Sequence, residues 1–401
     1  MALIPVPEAL SRLLDGAIAL PAETVPIGDA AWRVLAAEIA ALRTQPPFDA
    51  SAMDGYAVRA ADAAMRSARL RVIGEAPAGR QFLGPVGPGE AVRIFTGAPV
   101  PSGADAVLIQ ENTRTAGPDS IEVTEPVAAG RNIRREGLDF REGEPLLAAG
   151  RILDPAALSL AAAANHPALP VVRRPLVAIL ATGDELLPPG SVTGPDQIIA
   201  SNAYGVAALV MKTGGEVLDL GIVGDDRAAI AAATKRARAA GADILVTLGG
   251  ASVGDHDLVR DVLTAEGLSL AFWKIAMRPG KPLMFGGLGE MRVLGLPGNP
   301  VASLVCSHLF LAPLVARLGG RDHALDLRDA VLGSDMAGND RREDYVRARV
   351  EQRDGRLVAT PFQVQDSSML RTLAEANALI VRAPFAPAAP AGSSCRVAML
   401  R

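Results

Sequence analysis

Residues able to do chemistry crowd into the stretch 243–303. An apolar run from Asp243 to Leu248 breaks into Gly249-Gly-Ala-Ser-Val-Gly-Asp-His-Asp257, which reads as a buried strand ending in a loop. Gly249 and Gly250 let backbone N–H groups approach a ligand with no Cβ in the way. Two glycines, the hydroxyl of Ser252 and the carboxylates of Asp255 and Asp257 at a buried strand end are costly without a ligand, and the acids could hold a divalent cation. Arg278-Pro-Gly-Lys281-Pro282 then sets two cations on a proline-stiffened loop, just after Lys274. In Leu296-Pro297-Gly-Asn299-Pro300, Asn299 suits a helix N-cap and Pro300 the first helical position, which leaves N–H groups aimed at an anion. Two further strand ends carry Thr182-Gly183-Asp184-Glu185 and Gly224-Asp225-Asp226. Each motif alone has a plain structural reading: a strand-to-helix turn at 182–185, a helix cap at Asp225 or Asp226, a solvated loop histidine at His256. Their joint occurrence on one edge of one sheet argues for a phosphorylated ligand.

The elements that must position these residues follow from periodicity. From Arg174 onward strands alternate with helices: strands 176–180, 217–223, 243–248, 270–275, 283–286 and 291–296, and helices 202–213, 227–240, 258–266 and 300–317. That order implies a three-layer α/β domain with a mostly parallel sheet, whose ligands sit at the carboxyl ends of the strands. Residues 70–142 instead carry short β-like pieces (69–73, 91–96, 106–110, 120–124) cut by Pro and Gly, which read as a small β domain. Helices are expected over 8–20, over Ala30–Arg43 (Trp32, Leu35, Ile39 and Leu42 at helical spacing) and over 155–164. The last 80 or so residues alternate in short pieces and read as a small β-barrel or sandwich. The expected division is 1–47 with 143–172 as a mixed linker domain, 48–142 as the β-rich domain, 173–322 as the α/β domain and 323–401 as the barrel.

Composition narrows the class. The length of 401 residues suggests roughly two to four domains. A net charge of −4 argues against general nucleic-acid affinity. No apolar run is expected to approach the ~20 residues of a membrane span, and no signal peptide is expected at the N-terminus. The 2 cysteines and 4 histidines show no metal-binding spacing. A soluble, cytoplasmic protein is the expectation.

Seven motifs, in order and across nearly the whole chain, resemble those of the molybdopterin molybdenumtransferase family, the MoeA proteins and the gephyrin E domain. They are Ser51-Ala-Met-Asp54-Gly-Tyr-Ala57, Thr96-Gly-Ala-Pro99, Arg134-Arg-Glu-Gly137, Ala181-Thr-Gly-Asp-Glu-Leu186, Gly249 to Asp257, Arg278 to Pro282, and Leu296 to Val301. The resemblance implies a homodimer of four-part subunits with a C-terminal β-barrel. It implies a reaction in which molybdate and adenylylated molybdopterin give the molybdenum cofactor and AMP, and contacts with the molybdopterin adenylyltransferase and apo-molybdoenzymes. Cleaving a pyrophosphate calls for a divalent metal such as Mg2+ and for anion neutralisation. Asp184, Glu185, Asp225 or Asp226, and Asp257 are the expected magnesium and water-positioning acids. Lys274, Arg278 and Lys281 are the cations for molybdate or phosphate. Carried over from the family, Asp54 and Thr96 complete the site across a dimer interface, and Arg342 and Ser367 stand near the molybdate. The chain departs from the family at Arg278 (often Lys), at Ala302 (often Ser, with Ser303 adjacent) and at Ser368 (where glycine is expected). Two rivals share parts of this reading: an adenylyltransferase built on the α/β domain alone, and a gephyrin-like scaffold.

Overall fold

The computed structural model describes residues 3–249 and 258–401. The chain forms two compact units, one of residues 24–31 and 37–170, the other of residues 1–23, 32–36 and 171–401. The first helix, α1 (Val6–Leu14), belongs to the larger unit, where Val6, Ala9 and Leu13 enter the core. It starts and ends earlier than the 8–20 expected, stopping at Asp15-Gly16, where Gly16 has φ +61°.

In the smaller unit a six-stranded sheet is made of β1 (Gly55–Val58), β2 (Arg69–Ala76), β3 (Glu90–Ile94), β4 (Ala106–Ile109), β5 (Thr113–Gly117) and β6 (Ser120–Val123). Its order is β4-β1-β3-β2-β6-β5. Both faces are covered: Val58, Leu70, Leu108 and Ile121 pack on one, and Ala57, Val92, Ile94 and Val107 on the other. Helix α2 (Pro155–Ala163) is as expected, capped by Asp154, whose carboxylate accepts the Ala157 N–H.

The helix expected over Ala30–Arg43 does not form. Trp32 takes φ +61° and stays exposed, Leu35 bridges Val171, and Ile39–Ala40 pairs with Pro145–Leu147. The backbone N–H groups of Ala41 and Leu42 donate to Glu144 and Ala164. Extended pairing with distant segments satisfies the same peptide groups and still buries Leu35 and Ile39, so tertiary partners override the local period.

The larger unit follows the β/α pattern: β7 (Leu176–Thr182), α3 (Asn202–Thr213), β8 (Glu216–Val223), α4 (Arg227–Ala239), β9 (Ile244–Leu248), α5 (Leu258–Ala265), β10 (Ser269–Lys274), β11 (Met277–Arg278), β12 (Pro282–Leu288), β13 (Met291–Leu296) and α6 (Pro300–Leu318). The sheet order is β8-β7-β9-β13-β12-β10, parallel from β8 to β13, with β12 antiparallel to both its neighbours. Successive residues of β7 go to opposite faces, Val177 and Ile179 into one core and Ala178 and Leu180 into the other, which makes three layers. Helix α6 is 19 residues long with mean hydropathy 1.7, long and apolar enough by composition to span a membrane, but Ser303, Ser307, His308 and Arg317 interrupt its apolar run and 83% of its most apolar stretch is buried, as in a core helix. Its middle turn, Ser307–Leu311, is π-helical.

The C-terminal strands are β14 (Leu327–Leu332), β15 (Glu343–Arg353), β16 (Arg356–Pro361), β17 (Ala378–Arg382) and β18 (Ser394–Met399). Their order β15-β16-β14-β18-β17 closes through a β17–β15 pairing, a barrel with Leu332, Val346, Ala348, Ile380 and Val397 inside. Strand β11 joins it alongside the start of β15.

Candidate active site

At the carboxyl ends of β7, β9 and β13 lies a cleft of about 910 Å³. Thr182, Gly183, Glu185, Asp225, Gly249, Pro297, Asn299 and Pro300 all line it, so the structure gathers most of the strand-end residues that the sequence nominated. Gly249 is required there: its φ is +95°, and a Cβ would stand 2.6 Å from the Thr182 carbonyl oxygen. Gly250, Ser252, Asp255, His256 and Asp257 lie outside the described residues.

The acids divide their work. Asp226 caps α4, accepting the Ala229 N–H at 2.7 Å, while Asp225 lines the cleft. The Asp225 N–H donates to Asp184 Oδ1 at 2.9 Å. Partial burial, then the negative charges of Asp184 and Glu185, raise the Asp225 carboxyl above its ordinary range. Three oxygen-donor acids that repel one another suit a hard cation such as Mg2+. Among the described residues no three His, Cys, Asp or Glu are already gathered to hold one, so the described acids give the charge for a metal without closing its shell.

The expected N-cap bond of Asn299 is absent. Its amide Nδ2 donates instead to Ser367 Oγ at 2.8 Å, and the Ser367 carbonyl accepts the Val301 N–H at 3.0 Å. Pro300 still opens the helix, so the start of α6 is held by the 365–368 loop after β16 rather than by its own cap. Behind that loop stands Arg347, which sequence reading passed over. It is buried, its Nε donates to Gln365 Oε1 at 3.1 Å and its Nη1 to the Asp366 carbonyl at 2.7 Å. The only signal for it was an arginine in an alternating strand between Val346 and Ala348, on the face opposite theirs.

The cations fare differently. Arg278 pairs with Asp344, contacts Asn339 Oδ1 at 3.3 Å and stands 3.6 Å from Asp340. Arg342 donates to Asp340 at 2.7 Å, and the two bonds from Arg342 hold the Asp340 carboxyl down at about 2. Thus Arg278 and Arg342 meet over one carboxylate and are matched by acids. The Lys281 carbonyl accepts the Ile275 N–H at 3.0 Å, while its ammonium has no hydrogen bond or ion pair among the described residues. Lys274 is paired in register with Pro282, a residue of the cleft wall, and its ammonium lies 4.6 Å from the Trp273 ring centre.

In the smaller unit Asp54 and Thr96 come together. Asp54 Oδ1 accepts from the Thr96 N–H at 2.7 Å and from its hydroxyl at 2.8 Å, and these bonds lower the Asp54 carboxyl. The pair stands exposed at the ends of β1 and β3.

Three family descriptions match in succession: the MoeA N-terminal region (domain I and II) over residues 4–165, a probable molybdopterin binding domain over 178–317, and the MoeA C-terminal region (domain IV) over 329–400. The chain is 36% identical to the molybdopterin molybdenumtransferase of Bacillus subtilis, over 99% of this chain and 94% of that one. It is 37% identical to molybdopterin molybdenumtransferase 2 of Mycobacterium tuberculosis, over 89% and 90%. Two crystal structures of a molybdopterin biosynthesis MoeA protein from Pyrococcus horikoshii superpose with TM-scores of 0.83 and 0.78 at 29% and 30% identity. They cover 100% and 99% of this chain, and this chain covers 100% of each.

Proposed function

The chain belongs to the MoeA family of molybdopterin molybdenumtransferases, which act at the final step of molybdenum cofactor biosynthesis, and from that premise we propose how its residues perform the transfer. The observation that carries the reading is one cleft where the strand-end loops of β7, β8, β9 and β13 meet the start of α6, with Glu185 from the first loop and Asp225 from the second. Adenylylated molybdopterin binds there, its pyrophosphate against the Gly183 and Gly249 loops and the helix start at Pro300. Mg2+, held by Asp184, Glu185 and Asp225 with Asp257, would neutralise the phosphate oxygens. Asp225, on the cleft wall beside Asp184 and Glu185, would orient the attacking water. Attack of water on the phosphoanhydride bond releases AMP, and molybdenum from molybdate bonds to the two dithiolene sulfurs as one of its oxo groups leaves as water with the two thiol protons.

Lys281 supplies the charge for the incoming dianion, since Arg278 and Arg342 already spend theirs on Asp340 and Asp344. Asn299 and Ser367 orient its oxygens. Asp54 and Thr96 act at the cleft of a second subunit in a homodimer, and the enzyme works in the cytoplasm beside the adenylyltransferase that supplies its substrate and the apo-molybdoenzymes that take its product. The test is an assay of the purified protein with adenylylated molybdopterin, molybdate and Mg2+. AMP release that depends on molybdate, with reconstitution of an apo-molybdoenzyme, is the expected result. Formation of adenylylated molybdopterin from ATP instead would favour the adenylyltransferase reading.

A further inference from the structure

One wall of the cleft is unlike the rest. Ile198 and Ile199 line it and are 57% and 38% exposed, two adjacent β-branched side chains left open to water. They are held rigidly. Leu186–Leu187 and Ile198–Ile199 form a two-stranded parallel ribbon of their own, outside the six-stranded sheet. The Ile198 N–H donates to the Glu185 carbonyl and the Ala200 N–H to the Leu187 carbonyl, both at 2.8 Å. The connection carries Pro188, Pro189 and Pro195, and the Gln197 side chain closes its turn by accepting the Gly194 N–H at 3.0 Å. Directly after the ledge, Ser201 and Asn202 begin α3 within the same cleft, and Asn202 Nδ2 ties that start to the Gly298 carbonyl at 2.7 Å. An apolar ledge, pinned to the backbone of Glu185 and adjoining a polar helix start, matches a ligand with a flat ring joined to a phosphate.

Resting on the reaction proposed above, we infer that Ile198 and Ile199 form the surface on which a flat nitrogen heterocycle of the substrate lies. Adenine and the pterin share that chemistry. The ledge recognises the ring, whereas the glycine loops recognise phosphate and are indifferent to it. Stiff aliphatic faces suit a planar ring because they offer dispersion contact across its whole width with little rotamer entropy to lose.

The double variant I198S/I199S tests this, both side chains being exposed enough for the fold to tolerate the change, as a thermal melt would verify. Binding of AMP, of molybdopterin without its adenylyl group, and of inorganic pyrophosphate is measured by calorimetry on wild type and variant. The expected result is a loss of roughly tenfold for at least one of the two ring-bearing ligands, with pyrophosphate unchanged. A loss confined to AMP assigns the ledge to adenine, and one confined to molybdopterin assigns it to the pterin. Equal binding of both by wild type and folded variant overturns the inference while leaving the transferase reading intact. Wild-type protein that binds neither would overturn that reading and the ledge with it.

Discussion

Asp225 keeps its carboxyl above the ordinary range because the cleft partly desolvates it and because Asp184 and Glu185 repel its charge. The linkage sign follows: a carboxyl raised in the folded state gives up stability as pH climbs past the unfolded value, so its ionised form is a burden at neutral pH. Asp225→Asn should therefore leave thermal stability equal or slightly higher, within about 0.5 kcal/mol as for an exposed position. It should lose most turnover together with the response to added Mg2+. A variant that melts early, or one that keeps its magnesium response, would remove Asp225 from the cation site. The cations allow a sharper contrast. Each charge-assisted hydrogen bond to a small dianion is worth roughly 1.5–3 kcal/mol, so Lys281→Ala should raise the molybdate requirement on the order of tenfold or more. Arg342→Ala should raise it far less, because Arg342 is already committed to Asp340. Molybdate titrations of the two variants side by side decide between them, and equal shifts would refute the ranking.

At the scale of the element, α4 and the 365–368 loop show how secondary structure aims the chemistry. Asp226 satisfies the first turn of α4, so Asp226→Ala should cost roughly 1 kcal/mol in denaturant titration while leaving turnover near wild type. Loss of activity without loss of stability would mean that the two neighbouring acids have exchanged roles. The loop depends on Arg347, whose guanidinium reaches Gln365 and the Asp366 carbonyl and so sets Ser367 against Asn299. Arg347→Met keeps much of the buried side-chain volume but unties the loop, a change that buried sites often tolerate for stability. The expected outcome is a folded protein whose KM rises by at least about tenfold, since a displaced positioning group costs roughly that much or more. Restoration by Arg347→Lys would count against the role, because an ammonium cannot span both acceptors.

At the scale of the whole molecule, Asp54 and Thr96 pair in the smaller unit, whereas the cleft is lined entirely by residues of the larger one. If each site is shared between subunits, an Asp54→Ala chain and a Glu185→Ala chain, each inactive, should regain part of the activity when allowed to exchange. One site of each mixed dimer would then carry both intact residues. Proven exchange with no recovery would show that each site is complete within one chain.

Much of this was legible in the order of residues. The β/α alternation placed the six strands of the central sheet and their four helices to within a few residues, because buried parallel strands are continuous apolar runs and their helices carry Gly or Pro at the ends, but it missed the two-residue strands 186–187, 198–199 and 277–278. Glycine at 249 and proline at 300 announced themselves through backbone demands that few other residues meet. The segment 30–43 misled, because its helical spacing says nothing of the distant strands that claim its peptide groups. Only the tertiary structure decided which of Asp225 and Asp226 faces the cleft, that Asn299 bonds Ser367 rather than capping its helix, and that Arg278 and Arg342 meet over one acid. Local chemistry is written in residue types and spacing. Partnership between residues 60 or more positions apart depends on how strands register and close, and no short window of sequence contains that information.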